Sequence, residues 1–143
     1  MNRRFGEAPR SDQTYRIRPG IYAILPLGDD LLLTFQGGIH QELQLPGGGI
    51  DPGEHPIAAL HREVYEETGW RIAAPRRLGV YRRFTFMPEY DLWAEKICHI
   101  YLARPLRQIA PAPEPDHMPV LLPRHIAADR IASVGDRHFV RNF

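Results

Sequence analysis

The sequence predicts an α/β fold. Three observations point there. Short apolar runs separated by turn residues fill the first fifty positions, one strongly patterned amphipathic helix follows, and two further apolar runs joined by a tight loop come after it. Strands interrupted by a helix bury both sides of a sheet, and 143 residues suffice for one such core.

The first fourteen residues are polar and are expected to form a loose N-terminal segment, leaving residues 15–143 as a single domain. Tyr15 to Leu27 reads as a strand with a bend or bulge at Gly20. Gly28-Asp29-Asp30 is a turn, and Leu31 to Phe35 completes a hairpin. Gln36-Gly37-Gly38 turns the chain again, Glu42 to Leu45 is a short strand, and Gly47-Gly48-Gly49 reads as a loop.

The clearest element is a helix over Pro56 to Thr68. Proline fits its first turn, where no N–H is needed, and Gly69 fits the C-terminal cap. Ile57, Leu60, Val64 and Thr68 recur at helical spacing and supply a core face. Strands are expected over Leu78 to Met87 and Ala94 to Ala103, joined by Pro88-Glu89-Tyr90-Asp91. Prolines at 111, 113 and 115 remove donors and fix φ, so Ala110 to Pro115 is a stiff loop. Helical segments are expected over Pro123 to Ala132 and Asp136 to Arg141.

Composition narrows the class of function. A net charge of +1 suggests neither a nucleic-acid nor a membrane partner. The pairs Arg76-Arg77 and Arg82-Arg83 read as solvated strand ends. The single cysteine, Cys98, lies in an apolar run and is expected to be a buried thiol, which excludes an internal disulfide or a cysteine-based zinc site. The N-terminus has basic residues but no apolar stretch after them, so no secretory signal is expected and the expected location is the cytoplasm.

The chemistry concentrates on the helix. Glu63, Glu66 and Glu67, at i, i+3 and i+4, put three carboxylates on one side, where they repel one another. Three converging oxygen donors suit a hard cation, Mg²⁺ or Mn²⁺. Ala59, one turn earlier, is expected to leave room for a ligand above the acids. Glu54 and Arg62 are expected to pair and lock the preceding loop to the helix. The glycines at 47–49 allow close backbone approach, and their carbonyls can complete a metal's shell. Together these features suggest a metal cradle for phosphate oxygens; a solvated acidic helix face is the plain alternative.

The segment GGIDPGEHPIAALHREVYEETGW, residues 48–70, resembles the Nudix box. All seven fixed identities stand at the family's spacing: Gly48, Glu54, Arg62, Glu63, Glu66, Glu67 and Gly69. Val64 fills an aliphatic slot, and Trp70 replaces the usual aliphatic residue at the end. The segment EKICHIYLARP is also similar to a late strand of that family.

The resemblance implies a Nudix-like α/β/α sandwich with a mixed sheet. It implies Glu63 and Glu67 as main metal ligands, Glu66 as a further ligand, and a carbonyl of Gly47 or Gly48 completing the shell. Glu54 and Arg62 would be supporting residues. The implied activity is metal-dependent cleavage of a phosphoanhydride bond in a nucleoside diphosphate linked to another moiety: a nucleoside triphosphate, a nucleotide sugar or a dinucleotide. The implied partner is a small phosphorylated nucleotide-like substrate, and a homodimer is compatible with it.

The substrate is chosen outside the box in this family. Pro88 and Tyr90 both occupy a loop where one or the other marks different substrate groups, so that cue does not discriminate. Phe84, Phe86, Tyr90 and Trp93 either stack a base or form strand core. Histidines 55, 61, 99 and 117 have no metal-ligand spacing and read as surface or loop residues. A loop acid is expected to activate the attacking water; Glu114, flanked by Pro113 and Pro115, ranks first, ahead of Glu89 and Asp116. The competing reading is a non-catalytic nucleotide-binding or sensor module, which would tolerate a damaged box. An isoprenoid diphosphate isomerase would need a cysteine beside the metal, and Cys98 is better explained as core.

Overall fold

The structure, a computed structural model, describes residues 3–143. Its strands are β1 (Arg3–Arg4), β2 (Arg16–Ile24), β3 (Pro26–Leu27), β4 (Asp30–Gln36), β5 (Glu42–Gln44), β6 (Gly47–Gly49), β7 (Trp70–Met87), β8 (Leu92–Gln108) and β9 (His117–Pro123). Its helices are α1 (Pro56–Thr68), α2 (Arg124–Arg130) and α3 (Val134–Asn142). A single 3₁₀ turn, Pro88–Tyr90, joins β7 to β8.

Two sheets result. The larger has the order β1-β7-β8-β2-β6; it is mixed, because β1 runs parallel to β7 and β2 parallel to β8, while β7 is antiparallel to β8 and β6 antiparallel to β2. The smaller is built around β4, which pairs antiparallel with β3, β5 and β9.

Two apolar clusters hold the layers together. Ala59, Leu60 and Val64 of α1 pack with Ile21, Ala23, Leu32, Ile72 and Ala103, and Trp70 packs against this cluster from its apolar slot. On the other side, Ala127 and Ala128 of α2 and Val140 of α3 pack with Ile24, Leu33, Tyr81 and Ile100. Helices therefore cover both sides of the sheets, the α/β/α sandwich the sequence implied. Cys98 is buried in the second cluster, and burial pushes its thiol up to about 11. Among the described residues, no helix is long and apolar enough to cross a membrane.

Several elements differ from the sequence reading. The strand expected over Tyr15 to Leu27 is split at Leu25, and Pro26–Leu27 joins the smaller sheet. Proline has no N–H for a central ladder, so the chain leaves the larger sheet there. Gly20 makes no bulge; it pairs regularly with Gly49 and Cys98. Its missing side chain leaves space for the Tyr22 hydroxyl and the Gly48 carbonyl, which lie 3.0 and 3.1 Å from where a Cβ would stand. The glycines 47–49 form a strand on β2 rather than a loop.

The β7–β8 hairpin runs well past its expected ends, because register shifts between Arg71 and Ile72, Ala73 and Arg76, and Arg77 and Gly79 absorb its irregular base. Residues 117–123 form β9, an unpredicted strand; Pro119 and Pro123 have no N–H to donate, which an edge strand tolerates. The final helices begin one residue later and two residues earlier than expected. Arg3–Arg4 pair in parallel with Tyr81–Arg82, and Phe5 packs edge-on against Tyr81.

Candidate active site

Helix α1 is fixed at both ends by its own sequence. His55 caps the N-terminus, its Nδ1 accepting from the Ile57 N–H at 3.1 Å. Gly69 ends the helix in the left-handed region at φ 75°, donating its N–H to Tyr65 O at 2.8 Å. Between these caps the core face sets the rotation. Ala59, Leu60, Val64 and Thr68 point inward, so Ala59 is a core residue and does not open room above the acids. Glu63 and Glu67 then lie along the border of the buried face, and Glu66 lies further out, with 35% of its side chain exposed.

Strand β6 closes over this border. The Gly47 N–H donates to Glu67 Oε1 at 3.0 Å. A Cβ on Gly48 would stand 2.5 Å from a carboxylate oxygen of Glu63, so only glycine lets strand and acid meet without displacement. A Cβ on Gly47 would collide with the backbone of Ile21. These glycines bring the β6 backbone and the carboxylates of Glu63 and Glu67 into one small space.

Arg62 ties the parts together. Its Nε and Nη2 donate to the two oxygens of Glu54 at 2.8 and 2.9 Å, and Nη2 also reaches Gly49 O at 3.2 Å. Its Nη1 contacts Glu63 at 3.0 Å and Glu66 at 3.3 Å. Glu54 accepts a further bond from the Asp51 N–H at 3.1 Å. The Arg62 bonds, helped by Asp51, hold the Glu54 carboxyl down at about 2. The expected lock between loop and helix is present, with a bidentate geometry that lysine would not reproduce.

Glu67 is electrostatically unusual. Only 7% of the residue is exposed. Burial pushes its carboxyl well above the ordinary carboxylate range; the Gly47 N–H opposes this, while Glu63, Glu114 and Glu66 add to it. Burial likewise raises Glu63, against the pull of Arg62. Two residues that the sequence reading left out of the site stand beside Glu67. Thr34 Oγ1 lies 3.1 Å from Glu67 O and 3.0 Å from His117 Nδ1. His117 Nε2 lies 3.5 Å from Glu67 Oε2, and the imidazole is 7% exposed. No local motif reveals this pair, since 83 residues separate them and β4–β9 pairing brings them together.

The remaining candidates scatter. Glu114 donates its backbone N–H to Glu66 O at 2.9 Å, which sets this loop acid next to the end of α1. Glu89 is engaged by His40 at 2.7 Å, between the β7–β8 turn and the turn after β4. Asp116 adopts φ 69° and accepts from the Gly37 N–H through its carbonyl. Phe84, Phe86 and Trp93 pack with Tyr15 and one another in an aromatic patch, while Tyr90 stacks under Arg18.

The donor set fits a hard divalent ion. Every carboxylate donor is an oxygen, and Glu67 is a buried acid among acids, faced by the His117 imidazole at 3.5 Å. Among the described residues, no three His, Cys, Asp or Glu side chains already form a closed cage. Arg62 Nη1 instead bridges the Glu63 and Glu66 carboxylates.

Comparison with known proteins places the fold and the family. A Nitrosomonas europaea NUDIX hydrolase structure superimposes with a TM-score of 0.69 at 17% identity, covering 88% of each chain, which shows the shared fold. The Bacillus subtilis (strain 168) "Putative 8-oxo-dGTP diphosphatase" is 47% identical over 49 residues, 34% of this chain and 33% of that protein. The Rattus norvegicus "Diphosphoinositol polyphosphate phosphohydrolase 2" is 40% identical over 53 residues, 37% of this chain and 30% of that one. The matched segments thus span about a third of these relatives' length. A family model described as the NUDIX domain matches residues 16–143, almost the whole chain, and the chain belongs to the Nudix family.

Proposed function

We propose that this chain is a divalent-metal-dependent pyrophosphohydrolase. It cleaves a phosphoanhydride bond in a nucleoside diphosphate linked to another moiety, by attack of water on phosphorus. The observation that carries this reading is the buried Glu67 carboxyl, held by the Gly47 N–H beside Glu63 and Glu66. A structural helix gains nothing from burying an acid among acids, whereas a cation site requires it.

Nudix hydrolases generally need divalent metal ions. In this reading the ion is Mg²⁺ or Mn²⁺, with Glu63 and Glu67 as main ligands, Glu66 as a further ligand, and a carbonyl of Gly47 or Gly48 completing the shell. The ion, when bound, neutralises phosphate charge and lowers the pKa of water. Arg62 and Glu54 hold helix and loop in register, so the carboxylates meet β6 at a fixed distance. Glu114 is proposed as the base that takes the proton from the attacking water, since its backbone is anchored on Glu66 O next to the carboxylates.

The substrate is the open part of the proposal. One relative is named for a nucleoside triphosphate and the other for a diphosphorylated inositol polyphosphate. The test is therefore product release from a panel of nucleoside triphosphates, nucleotide sugars, dinucleotides and a diphosphoinositol polyphosphate, each with Mg²⁺ or Mn²⁺. Metal-dependent release of a nucleoside monophosphate from at least one nucleotide is expected. Turnover of the inositol compound alone overturns the nucleotide assignment. No turnover of any compound, with metal-independent nucleotide binding, replaces the enzyme by a sensor module.

A further inference from the structure

We infer that His117 is a positioning residue for Glu67, held in place by Thr34, and that this pair sets how tightly the site binds its divalent ion. The inference rests on Glu67 being a metal ligand.

The chain of contacts runs through two elements of the smaller sheet. Thr34 is a fully buried residue of β4, and His117 opens β9. The two strands pair in register, Leu33 with Val120 and Gln36 with His117 among the partners, which carries the imidazole to the end of α1. His117 Nδ1 faces Thr34 Oγ1 at 3.0 Å. Its other nitrogen, Nε2, faces Glu67 Oε2 at 3.5 Å.

The Thr34 hydroxyl has one proton and three acceptors in reach, Glu67 O, Met118 O and His117 Nδ1, so the tautomer follows from where that proton goes. Donation to Nδ1 puts the imidazole proton on Nε2, facing Glu67, and that tautomer is part of the inference. A separation of 3.5 Å is long for a hydrogen bond. The terminal torsion of a glutamate is soft, however, and a small rotation brings Oε2 into range. The other oxygen, Oε1, is already fixed by the Gly47 N–H at 3.0 Å. In that tautomer the carboxylate faces donors on both sides, the Gly47 N–H of β6 at 3.0 Å and the His117 Nε2–H of β9 at 3.5 Å. The lone pairs left over point in a fixed direction, which is how hydrogen bonds to a ligating carboxylate orient it for a metal.

Simple core filling does not account for this arrangement. An apolar residue would pack between β4 and α1 without presenting a donor to a buried acid. Thr34 also has two carbonyls within reach, Glu67 O at 3.1 Å and Met118 O at 3.5 Å, and the imidazole stands among these groups.

The test measures Mn²⁺ affinity directly, by the electron paramagnetic resonance signal of free Mn²⁺ during titration of wild type, His117→Ala, His117→Gln, Thr34→Val and Glu67→Gln. His117→Ala is expected to weaken Mn²⁺ binding about tenfold or more. His117→Gln, which returns an N–H donor near the Nε2 position, recovers most of the loss. Thr34→Val, nearly isosteric but without the hydroxyl, lies between wild type and His117→Ala. At saturating Mn²⁺ the turnover number of His117→Ala falls by less than its metal affinity does.

Wild-type Mn²⁺ affinity in a folded His117→Ala protein overturns the inference. If that variant does not fold, wild-type affinity in Thr34→Val overturns it instead. Glu67→Gln separates the two levels. Unchanged affinity there removes Glu67 as a ligand and takes this inference with it. Lost affinity in Glu67→Gln beside wild-type affinity in His117→Ala removes only the role of His117.

Discussion

At the scale of single residues, the site is a set of acids whose environments differ. Glu54 is held low by Arg62, whereas Glu67 is pushed up by burial and by its acidic neighbours. Carboxylates committed to a cation are poor free bases, so the proton from the attacking water needs another acceptor. Glu114→Gln keeps volume and removes the proposed acceptor. At saturating metal its kcat is expected to drop by about one to a few decades, with the acidic limb of the pH–rate profile altered. An unchanged rate and profile transfers the role to Glu89 or to a box glutamate. What was legible here follows from chain distance. Residues 48–70 carry their relationships within one loop and one helix, so spacing alone placed Arg62 on Glu54 and grouped the acids. Thr34 and His117 belong to separate strands, and nothing in either local sequence marks them as neighbours of Glu67.

At the scale of elements, the loop before α1 is clamped to the helix by the bidentate Arg62–Glu54 pair. The carboxyl of Glu54 sits at about 2 in the folded protein against an ordinary 4.5. A depressed folded pKa contributes stability that is present above the unfolded value and is lost as pH falls through the folded one. The clamp is therefore expected to be fully formed above about pH 4.5 and to weaken towards pH 2. Melting temperatures of wild type and Glu54→Gln across this range check it. The variant is expected to melt lower at neutral pH, and the gap narrows as the pH falls to 2. A gap that stays constant with pH contradicts the clamp. Helix α1 was readable to its end residues, because Pro56 and Gly69 punctuate it. Strands β6 and β9 were not, because three glycines and a proline-bounded run have weak strand character of their own, and pairing with β2 and β4 overrides it.

At the scale of the whole molecule, two sheets lie between α1 on one side and α2 with α3 on the other. Tyr81 ties β7 to the second helical layer. Its hydroxyl donates to Asp136 at 2.6 Å and lies 2.7 Å from Ser133 Oγ, all in buried surroundings. Gly135 exists because the Tyr81 ring occupies the place of its side chain. Tyr81→Phe keeps the ring but leaves a buried carboxyl short of a donor, at a cost of about 1–3 kcal/mol. Urea unfolding is expected to show this loss, while kcat for the best substrate stays near wild type because the change lies in the layer opposite α1. A wild-type unfolding midpoint contradicts the bridging role.

The central proposal is a divalent ion held by α1 against β6. The most direct measurement compares wild type with Glu67→Gln on the best nucleotide of the panel, each stripped of metal and then restored with Mg²⁺ or Mn²⁺. Stripped wild type is expected to be inactive, and metal restores nucleoside monophosphate release. At saturating metal, Glu67→Gln is expected to be slower by roughly a hundredfold or more while melting at or above the wild-type temperature. Equal turnover with and without metal, or wild-type turnover in Glu67→Gln, contradicts the site.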